Sequence, residues 1–347
     1  MIVASCPNVC ATLRMISLVL CASLLYGCAT VAGNSGVTPS PALAANHPLL
    51  GRIFGGKPAR ELTAAELYER MANAQVVYLG ETHSNARHHE LELTVLRALL
   101  ENGKRPLIGF EFFSMDQTGY LMDFTVGANR TSEETLRQKL GWGKHRDKEW
   151  NDYFPLLRTA QEHKLSAFGA DLPAGIVQRL TRVGRTGLSP VEKRFLHDTA
   201  FDNTAYHKLM QDTLVHAHCG WNDPVLIDRL YQTWLARNDA MATAIVDMVQ
   251  AAHGQPVLVV LGSGHVRHNM GVFERVAYRL PGVQQVNLAF QETDTDRREP
   301  QAYFSGSPDL AAQFAPLHEY LWFTESGSEG DPCLRFKPSL QRKPDLP

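Results

Sequence analysis

The sequence has 347 residues, of which 44% are hydrophobic and 20% charged, and its formal net charge at pH 7 is −2. Its length allows one large globular domain or two smaller ones. Because Lys and Arg are scattered along the chain and the net charge is close to zero, the sequence lacks the basic surface expected of a nucleic-acid-binding protein.

The N-terminus has the features of an export signal. Arg14 precedes an apolar run, Met15–Tyr26, which is of signal-peptide length and too short to span a bilayer as a helix. The run leads into Leu25-Tyr26-Gly27-Cys28, which resembles a bacterial lipobox, although Tyr26 stands where a small residue is usual. The sequence predicts that Cys28 is lipidated; the alternative is a cleaved secretory signal, and both interpretations predict export.

Residues 29–48 are rich in Gly, Ser, Pro and Ala and show no periodicity, which is typical of a flexible tether. We therefore expect residues 1–28 to be the signal with its lipobox and residues 49–347 to be the folded domain. Ala29, directly after the lipidated cysteine, favours the outer membrane of a two-membrane bacterium. The predicted location is the cell envelope, where a lipid anchor holds the protein to a membrane.

We interpret the short apolar run Val76–Leu79 as the first strand of the sheet, because it is hydrophobic on both faces like a buried strand of a parallel sheet. It ends in Gly80-Glu81-Thr82-His83, and a helix with an apolar stripe follows. Ligands of open α/β sheets bind at the carboxyl ends of the strands. Glu81 and His83 are therefore the first candidate site residues.

Two further predicted strands also end at acidic residues. The run 106–113 places Glu111 among three phenylalanines, where a carboxylate needs a partner or a ligand. A functional role is one interpretation of Glu111, and helix capping or pairing with an arginine is the other. A third strand, 165–170, ends at Asp171, for which capping or a turn before Pro173 is at least as good an interpretation as a role in the site.

Residues 190–253 are helical in pattern, without strand signals, and predict a helical subdomain inserted between strands. Four of the six cysteines lie at or before Cys28, which leaves Cys219 and Cys333 in the folded part. These two can pair in an oxidising compartment, but two isolated cysteines indicate neither a disulfide scaffold nor a zinc cluster.

The most strand-like run, 255–261, stops at Gly262-Ser263-Gly264-His265, a second Gly-x-x-His at a strand end. The spacing does not fit a phosphate-binding loop. Another strand follows at 283–290, and residues 300–340 are predicted to contain one or two edge strands. Together these elements predict an α/β fold, a mainly parallel sheet flanked by helices, whose carboxyl edge brings His83, Glu111 and His265 together.

Several motifs occur in the order and spacing of ChaN-type haem-binding lipoproteins, a family within the Tiki and erythromycin-esterase-like superfamily. They are Gly80-Glu81-Thr82-His83, Phe110-Glu111-Phe112-Phe113, Arg237-Asn238-Asp239-Ala240-Met241-Ala242, Gly262-Ser263-Gly264-His265 and Gly271-Val272. The chain resembles this family over about residues 50–290. The resemblance implies that His83, His265 and Glu111 act together, with Glu81 beside them.

The resemblance implies two functions. The first is haem binding in haem or iron uptake, as a homodimer with a tyrosine as iron ligand. Tyr120 and Tyr153 lie in the appropriate half of the chain, and Tyr153, flanked by aromatic residues, is the predicted ligand; a phenolate oxygen suits ferric haem. The alternative for both tyrosines is that they only pack.

The second implied function is a metal-dependent hydrolase, a peptidase or an esterase. His83, His265 and Glu111 would then hold a divalent metal ion with an open position, and Glu81 would serve as general base. A third interpretation, without chemistry, is that these residues form a hydrogen-bonded network that ties the strand ends together.

Overall fold

The computed structural model describes residues 46–56, 58–128, 131–197, 204–305, 314, 316–327 and 333. The predicted signal, Cys28 and nearly all of the tether lie outside the described residues, as do Leu334–Phe336 of the predicted C-terminal strands. Within the described ranges, no helix is both long and apolar enough to cross a membrane.

An eight-stranded sheet forms the centre of the fold, in the order β2-β1-β8-β7-β3-β6-β4-β5. Its strands are β1 (Ile53–Gly55), β2 (Arg60–Leu62), β3 (Val76–Glu81), β4 (Leu107–Ser114), β5 (Ala167–Asp171), β6 (Val257–Gly262), β7 (Gln285–Glu292) and β8 (Tyr320–Thr324). Strands β8, β7, β3, β6, β4 and β5 run parallel to one another, and the β1–β2 hairpin pairs antiparallel with β8 at one edge. The predicted α/β fold with a mainly parallel sheet is confirmed.

Helices cover both faces of the sheet. They are α1 (Ala64–Asn73), α2 (Ala86–Glu101), α3 (Thr118–Thr125), α4 (Glu133–Lys139), α5 (Asp147–His163), α6 (Ala174–Val183), α7 (Pro190–Lys193), α8 (Thr204–Ala217), α9 (Pro224–Ala251), α10 (Val272–Arg279) and α11 (Gln301–Phe304). Short 3-10 segments span Met115–Gln117, Lys144–Arg146 and Ser263–Asn269. The helix starts use ordinary signals: Thr63 and Glu66 form a capping box at α1, and Asp223 caps α9 ahead of Pro224.

Alternate residues of each central strand belong to two separate hydrophobic cores. Val77 and Leu79 of β3 pack in the core that includes helices α2 and α5, whereas Val76 and Tyr78 pack in the core that includes α9 and α10. Because side chains alternate along a strand, Glu81 continues the series of Val77 and Leu79. Its carboxylate is therefore directed to the α2 and α5 side of the sheet.

Two predictions about the strands were wrong. The strand at Val76 is not the first, because the hairpin of β1 and β2 precedes it; these strands have three residues each, too few to show a periodicity. The strand at Tyr320–Thr324 is not at an edge, because it lies between β1 and β7. Leu321 and Phe323 pack on one of its faces with Phe54 of β1, so the hairpin covers the edge that β8 would otherwise expose.

The predicted helical region 190–253 contains α7, α8 and α9, and its other described residues form turns and loops without a strand. The second half of α9 does not stand apart from the sheet, because Met241 and Ile245 pack in the same core as Val259 of β6. Cys219, after α8, forms a disulfide with Cys333, with their Cα atoms 5.4 Å apart. The pairing that the sequence allowed is therefore present.

A buried amide in β7 joins three separate segments. The Nδ2 group of Asn287 donates to the carbonyl of Val266 and to Oδ1 of Asn269, at 2.7 and 2.8 Å. Its Oδ1 accepts from Nδ1 of His318, at 3.0 Å. This single side chain thus positions both the segment that carries the second Gly-x-x-His motif and the residues that lead into β8.

His318 provides a test of this arrangement through pH. Burial, followed by the charges of Arg267 and His268, lowers the pKa of His318 to about 3, whereas the pKa of a histidine in an unfolded chain is about 6.5. Between these values the unfolded chain binds a proton that the folded protein does not. The free energy of unfolding should therefore decrease on acidification from about pH 6.5 to pH 3, by up to about 1.4 kcal/mol per pH unit from this group.

The measurement is urea unfolding of the parent, His318→Asn and His253→Asn at several pH values in this range. We expect His318→Asn to be less stable at pH 7 but to have a flatter pH profile than the parent. His253 is exposed at the end of α9, so His253→Asn should keep the parent's profile. Equal slopes for all three proteins would show that buried His318 makes no pH-dependent contribution.

Candidate functional site

The ends of β3, β4 and β6 meet at one edge of the sheet. Glu81 and Gly262 are paired in the last rung between β3 and β6. Glu111 follows Phe110, where the regular pairing of β4 with β6 ends. Oε2 of Glu111 accepts a hydrogen bond from the backbone N–H of Gly262, at 2.7 Å. This bond connects β4 to the turn that carries His265.

His83 is the most accessible of the predicted site residues. Its side chain is 49% exposed, and its Nδ1 lies 2.9 Å from Oε1 of the fully buried Glu81. The ring stands edge-on to Phe112, with centroids 4.7 Å apart. Burial would lower the pKa of His83, but the hydrogen bond with Glu81 and the charge of Glu111 outweigh burial and raise the pKa above its ordinary value.

Gly262 is required for the position of this ring. A Cβ atom on Gly262 would lie 2.8 Å from Cε1 and 3.0 Å from Nε2 of His83. A Cβ on Gly264 would meet nothing closer than the Trp234 ring, at 3.4 Å. The first glycine of the second Gly-x-x-His motif therefore makes space for the histidine of the first, and the second glycine does not.

Arg237 of α9 neutralises the acidic groups on the other side of the sheet. Its guanidinium donates to Oε1 of Glu111 at 2.6 Å and to Oδ2 of Asp171 at 2.6 and 2.8 Å. Burial alone would raise the pKa of Glu111, but the charges of His265 and Arg237 hold it well below its ordinary value. Removing one partner of a buried ion pair typically costs about 3 to 5 kcal/mol, so Arg237 also stabilises the fold.

His265 is held from three directions. Its Nε2 lies 3.1 Å from Oε1 of Glu111, and its Nδ1 donates to Oδ1 of Asn238 at 2.6 Å. The indole of Trp234 stacks on the ring, with centroids 4.0 Å apart and planes 12° from parallel. Because Trp234 and Asn238 lie one turn apart on α9, this helix orients the second histidine as well as Arg237.

Glu81 is the centre of a second group of side chains, on the α2 and α5 side of the sheet. The hydroxyl of Tyr153 donates to its Oε1 at 2.6 Å, and Nδ1 of His89 lies 3.0 Å from its Oε2. Burial would raise the pKa of Glu81, but the hydrogen bond with His83 and the close contact with His89 outweigh burial and lower it. Burial and the charge of Glu81 raise the pKa of Glu92, the next acidic group, well above its ordinary value.

Tyr153 does not have the surroundings of an iron ligand, contrary to its predicted role. Its side chain is buried, with 1% of the residue exposed, and its hydroxyl is bound to Glu81. Burial, followed by the charge of Glu81, raises the pKa of Tyr153, which opposes formation of a phenolate. The aromatic residues around it mark a packed core rather than a haem pocket. Tyr120 of α3, in contrast, is 41% exposed.

The structure thus brings Glu81, His83, Glu111 and His265 to one edge of the sheet. In the predicted metal set of His83, Glu111 and His265, both oxygens of Glu111 accept hydrogen bonds, one from Arg237 and one from the backbone of Gly262. Within the described part of the chain, the one group of three potential ligands whose donor atoms lie within 4.8 Å of one another is Glu81, His89 and Glu92.

Several contributing residues were not assigned to the site from the sequence. Arg237 and Asn238 belong to a motif that was recognised but given no role, and Asp171 was left open between capping and function. It does not cap the next helix: its Oδ1 accepts from the N–H of Leu172, and its Oδ2 binds Arg237. His89 gave a local signal, because it precedes Glu92 by three residues on a helix, but that spacing alone does not show which strand end the helix faces.

Comparison with known proteins shows the family to which this chain belongs. A family model described as haem-binding uptake, Tiki superfamily, ChaN matches residues 67–276. The match covers more than half of the chain and includes both Gly-x-x-His motifs and Arg237. The chain belongs to this family.

Similarity to individual proteins is lower. The structure of ChaN from Campylobacter jejuni, described as binding haem cofacially, has a TM-score of 0.59 and 16% identity, covering 78% of this chain and 95% of that one; at this identity it shows the fold alone. The erythromycin esterase EreC in its open conformation has a TM-score of 0.39 and 15% identity, covering 65% of this chain and 72% of that one.

Among curated proteins, RETICULATA-RELATED 5, chloroplastic, of Arabidopsis thaliana is 23% identical over 286 residues, or 78% of this chain. The chain spans 36% of the length of this plant relative.

Proposed function

We propose that this protein is an exported haem-binding lipoprotein that takes part in haem or iron uptake. The observation that carries the proposal is membership of a family described as haem-binding uptake proteins, over residues 67–276. The ChaN fold over nearly all of the Campylobacter jejuni protein supports it. In that protein haem binds cofacially, and on this basis we expect a homodimer in which two porphyrins face each other.

We propose Tyr120 as the iron ligand in place of Tyr153. Tyr120 lies on α3, just after the carboxyl end of β4, and its exposed ring is accessible to a porphyrin. A phenolate is a hard oxygen donor and suits ferric iron. The ammonium of Lys139 lies 5.5 Å from the centre of this ring, where a cation is close enough to pair with a haem propionate.

Export and anchoring are part of the proposal. The lipobox-like sequence at Cys28 and the tether of residues 29–48 support a lipid anchor in the cell envelope, with the outer membrane as the proposed site. The disulfide between Cys219 and Cys333 supports an oxidising compartment, because disulfides are rare in reducing cytosol.

A hydrolytic function is the second candidate, and the contact between His83 and Glu81 favours it. A buried carboxylate at Nδ1 orients the ring, Nε2 lies beside Gly262, and the side chain is half-exposed. A half-exposed histidine held in this way can act as a general base. Glu111, Arg237 and His265 lie next to it, and the substrate would be an ester or a peptide.

Haem binding is tested by titrating hemin into protein that lacks residues 1–28. We expect a shift of the ferric Soret band for the parent. Tyr120→Phe should weaken hemin binding by about tenfold or more, because it removes the iron ligand. Tyr153→Phe should lower thermal stability but leave hemin affinity within about twofold, because its hydroxyl binds Glu81. The reverse pattern for the two variants would show that Tyr153 reaches the iron.

Hydrolysis is tested with p-nitrophenyl esters and a fluorogenic peptide library. If His83 is a base, His83→Gln and Gly262→Ala should both lose activity, the latter because its Cβ displaces the ring. Gly264→Ala is the matched control and should keep at least half of the activity. Hemin affinity should be unchanged in all three variants. Activity that survives His83→Gln would remove His83 as the base.

The lipid anchor is tested by detergent-phase partitioning of the full chain expressed in a two-membrane bacterium. The parent and Cys21→Ser, which changes a cysteine inside the apolar run, should enter the detergent phase. Cys28→Ser should remain in the aqueous phase or keep its uncleaved signal. Identical partitioning and processing of parent and Cys28→Ser would contradict the lipobox.

A further inference from the structure

A compact group of donor atoms lies beneath His83, on the α2 and α5 side of the sheet. It consists of carboxylate oxygens of Glu81 and Glu92 and a ring nitrogen of His89, all within 4.8 Å of one another. The side chains of Glu81 and Glu92 are fully buried, and that of His89 is 3% exposed. Two carboxylates enclosed this closely are costly unless a positive charge lies between them.

The hydrogen bond of His89 to a backbone carbonyl places its other ring nitrogen, Nδ1, in this centre. Its Nε2 lies 3.1 Å from the carbonyl oxygen of His83; since a carbonyl only accepts, Nε2 carries the hydrogen. In the neutral ring Nδ1 is then unprotonated. This atom lies 3.0 Å from Oε2 of Glu81 and 3.2 Å from Oε2 of Glu92, so three electron-pair donors face one another.

Two buried oxygens in the group lack a hydrogen bond. Oε2 of Glu81 is within ion-pair distance of His89 but has no hydrogen bond of acceptable geometry, and Oε1 of Glu92 has no hydrogen-bond partner. The other oxygen of Glu81 is occupied, because Oε1 contacts Nδ1 of His83 and the hydroxyl of Tyr153. Outer contacts of this kind orient a ligating carboxylate and leave its second oxygen for a metal.

From this geometry we propose that Glu81, His89 and Glu92 bind a divalent first-row transition-metal ion, such as zinc, manganese or ferrous iron. One imidazole and two carboxylates suit these ions, whereas calcium and magnesium prefer oxygen ligands alone. The ion would accept all three donors and neutralise both carboxylates. The site is distinct from the proposed haem ligand on α3 and from the set of His83, Glu111 and His265.

A proton is the competing occupant of this centre. If Nδ1 of His89 also carries a hydrogen, the imidazolium donates between the two carboxylates, and Glu92 can share a further proton with Glu81. This arrangement leaves Oε1 of Glu92 without a partner, whereas a metal can use either oxygen of that carboxylate. The two occupants make opposite predictions for Glu92→Gln, because glutamine imitates a protonated glutamate but is a poor metal ligand.

The experiment uses the mature chain, stripped with EDTA, without haem and then supplied with zinc, manganese or cobalt(II). We expect one equivalent of metal per chain by elemental analysis, a rise in Tm on loading, and a cobalt d–d spectrum. Glu92→Gln and His89→Gln should each lower metal affinity by about tenfold or more and abolish the rise in Tm. Glu90→Gln, an exposed acid on the same helix, should bind like the parent.

The circular dichroism spectrum and Tm of each stripped variant show whether it folds. A parent that binds no metal under these conditions, with Glu92→Gln as stable as the parent or more so, would overturn the metal site and identify the proton. Full metal binding by a folded Glu92→Gln would also overturn it. Hemin binding is measured separately, so a result that contradicts the metal site does not by itself contradict the proposed haem binding.

Discussion

The structure depends on the burial of two carboxylates, Glu81 and Glu111, at the ends of strands that flank β6. A buried carboxylate must be paired or hydrogen-bonded, and its partners come from distant parts of the chain on opposite sides of the sheet. Tyr153 and His89 reach Glu81 from α5 and α2, and Arg237 reaches Glu111 from α9. The need to compensate these charges therefore fixes how the helices lie against the sheet edge.

His83 and Gly262 connect the two sides. His83 binds Glu81 through Nδ1, and its ring fits against Gly262, whose N–H binds Glu111. A shift of β6 relative to β3 would therefore disturb both carboxylates. This explains why the two Gly-x-x-His motifs play unequal parts: in the first the histidine remains accessible, whereas in the second the histidine is buried under Trp234 and the glycine provides space.

The parts of the fold that could be predicted are those whose signals are local. Runs of apolar residues located β3, β4, β5, β6 and β7, and their parallel arrangement placed His83, Glu111 and His265 at one edge. The pairing of Glu111 with an arginine was one of its two interpretations, but Arg237 lies 126 residues away, and no periodicity identifies a partner at that distance. The three-residue strands β1 and β2 lacked a signal, which is why β8 was mistaken for an edge.

Tyr153 shows why aromatic surroundings are ambiguous in a sequence. Aromatic neighbours are typical both of a porphyrin pocket and of a hydrophobic core. A tyrosine that can bind iron differs from one that only packs in whether its hydroxyl is free. Here it is committed to Glu81, so Tyr153 contributes to holding that carboxylate in place. Tyr120, in contrast, is exposed and lies on a helix outside the charged network. Iron coordination at α3 and chemistry at His83 would then use different groups, so evidence for either function does not count against the other.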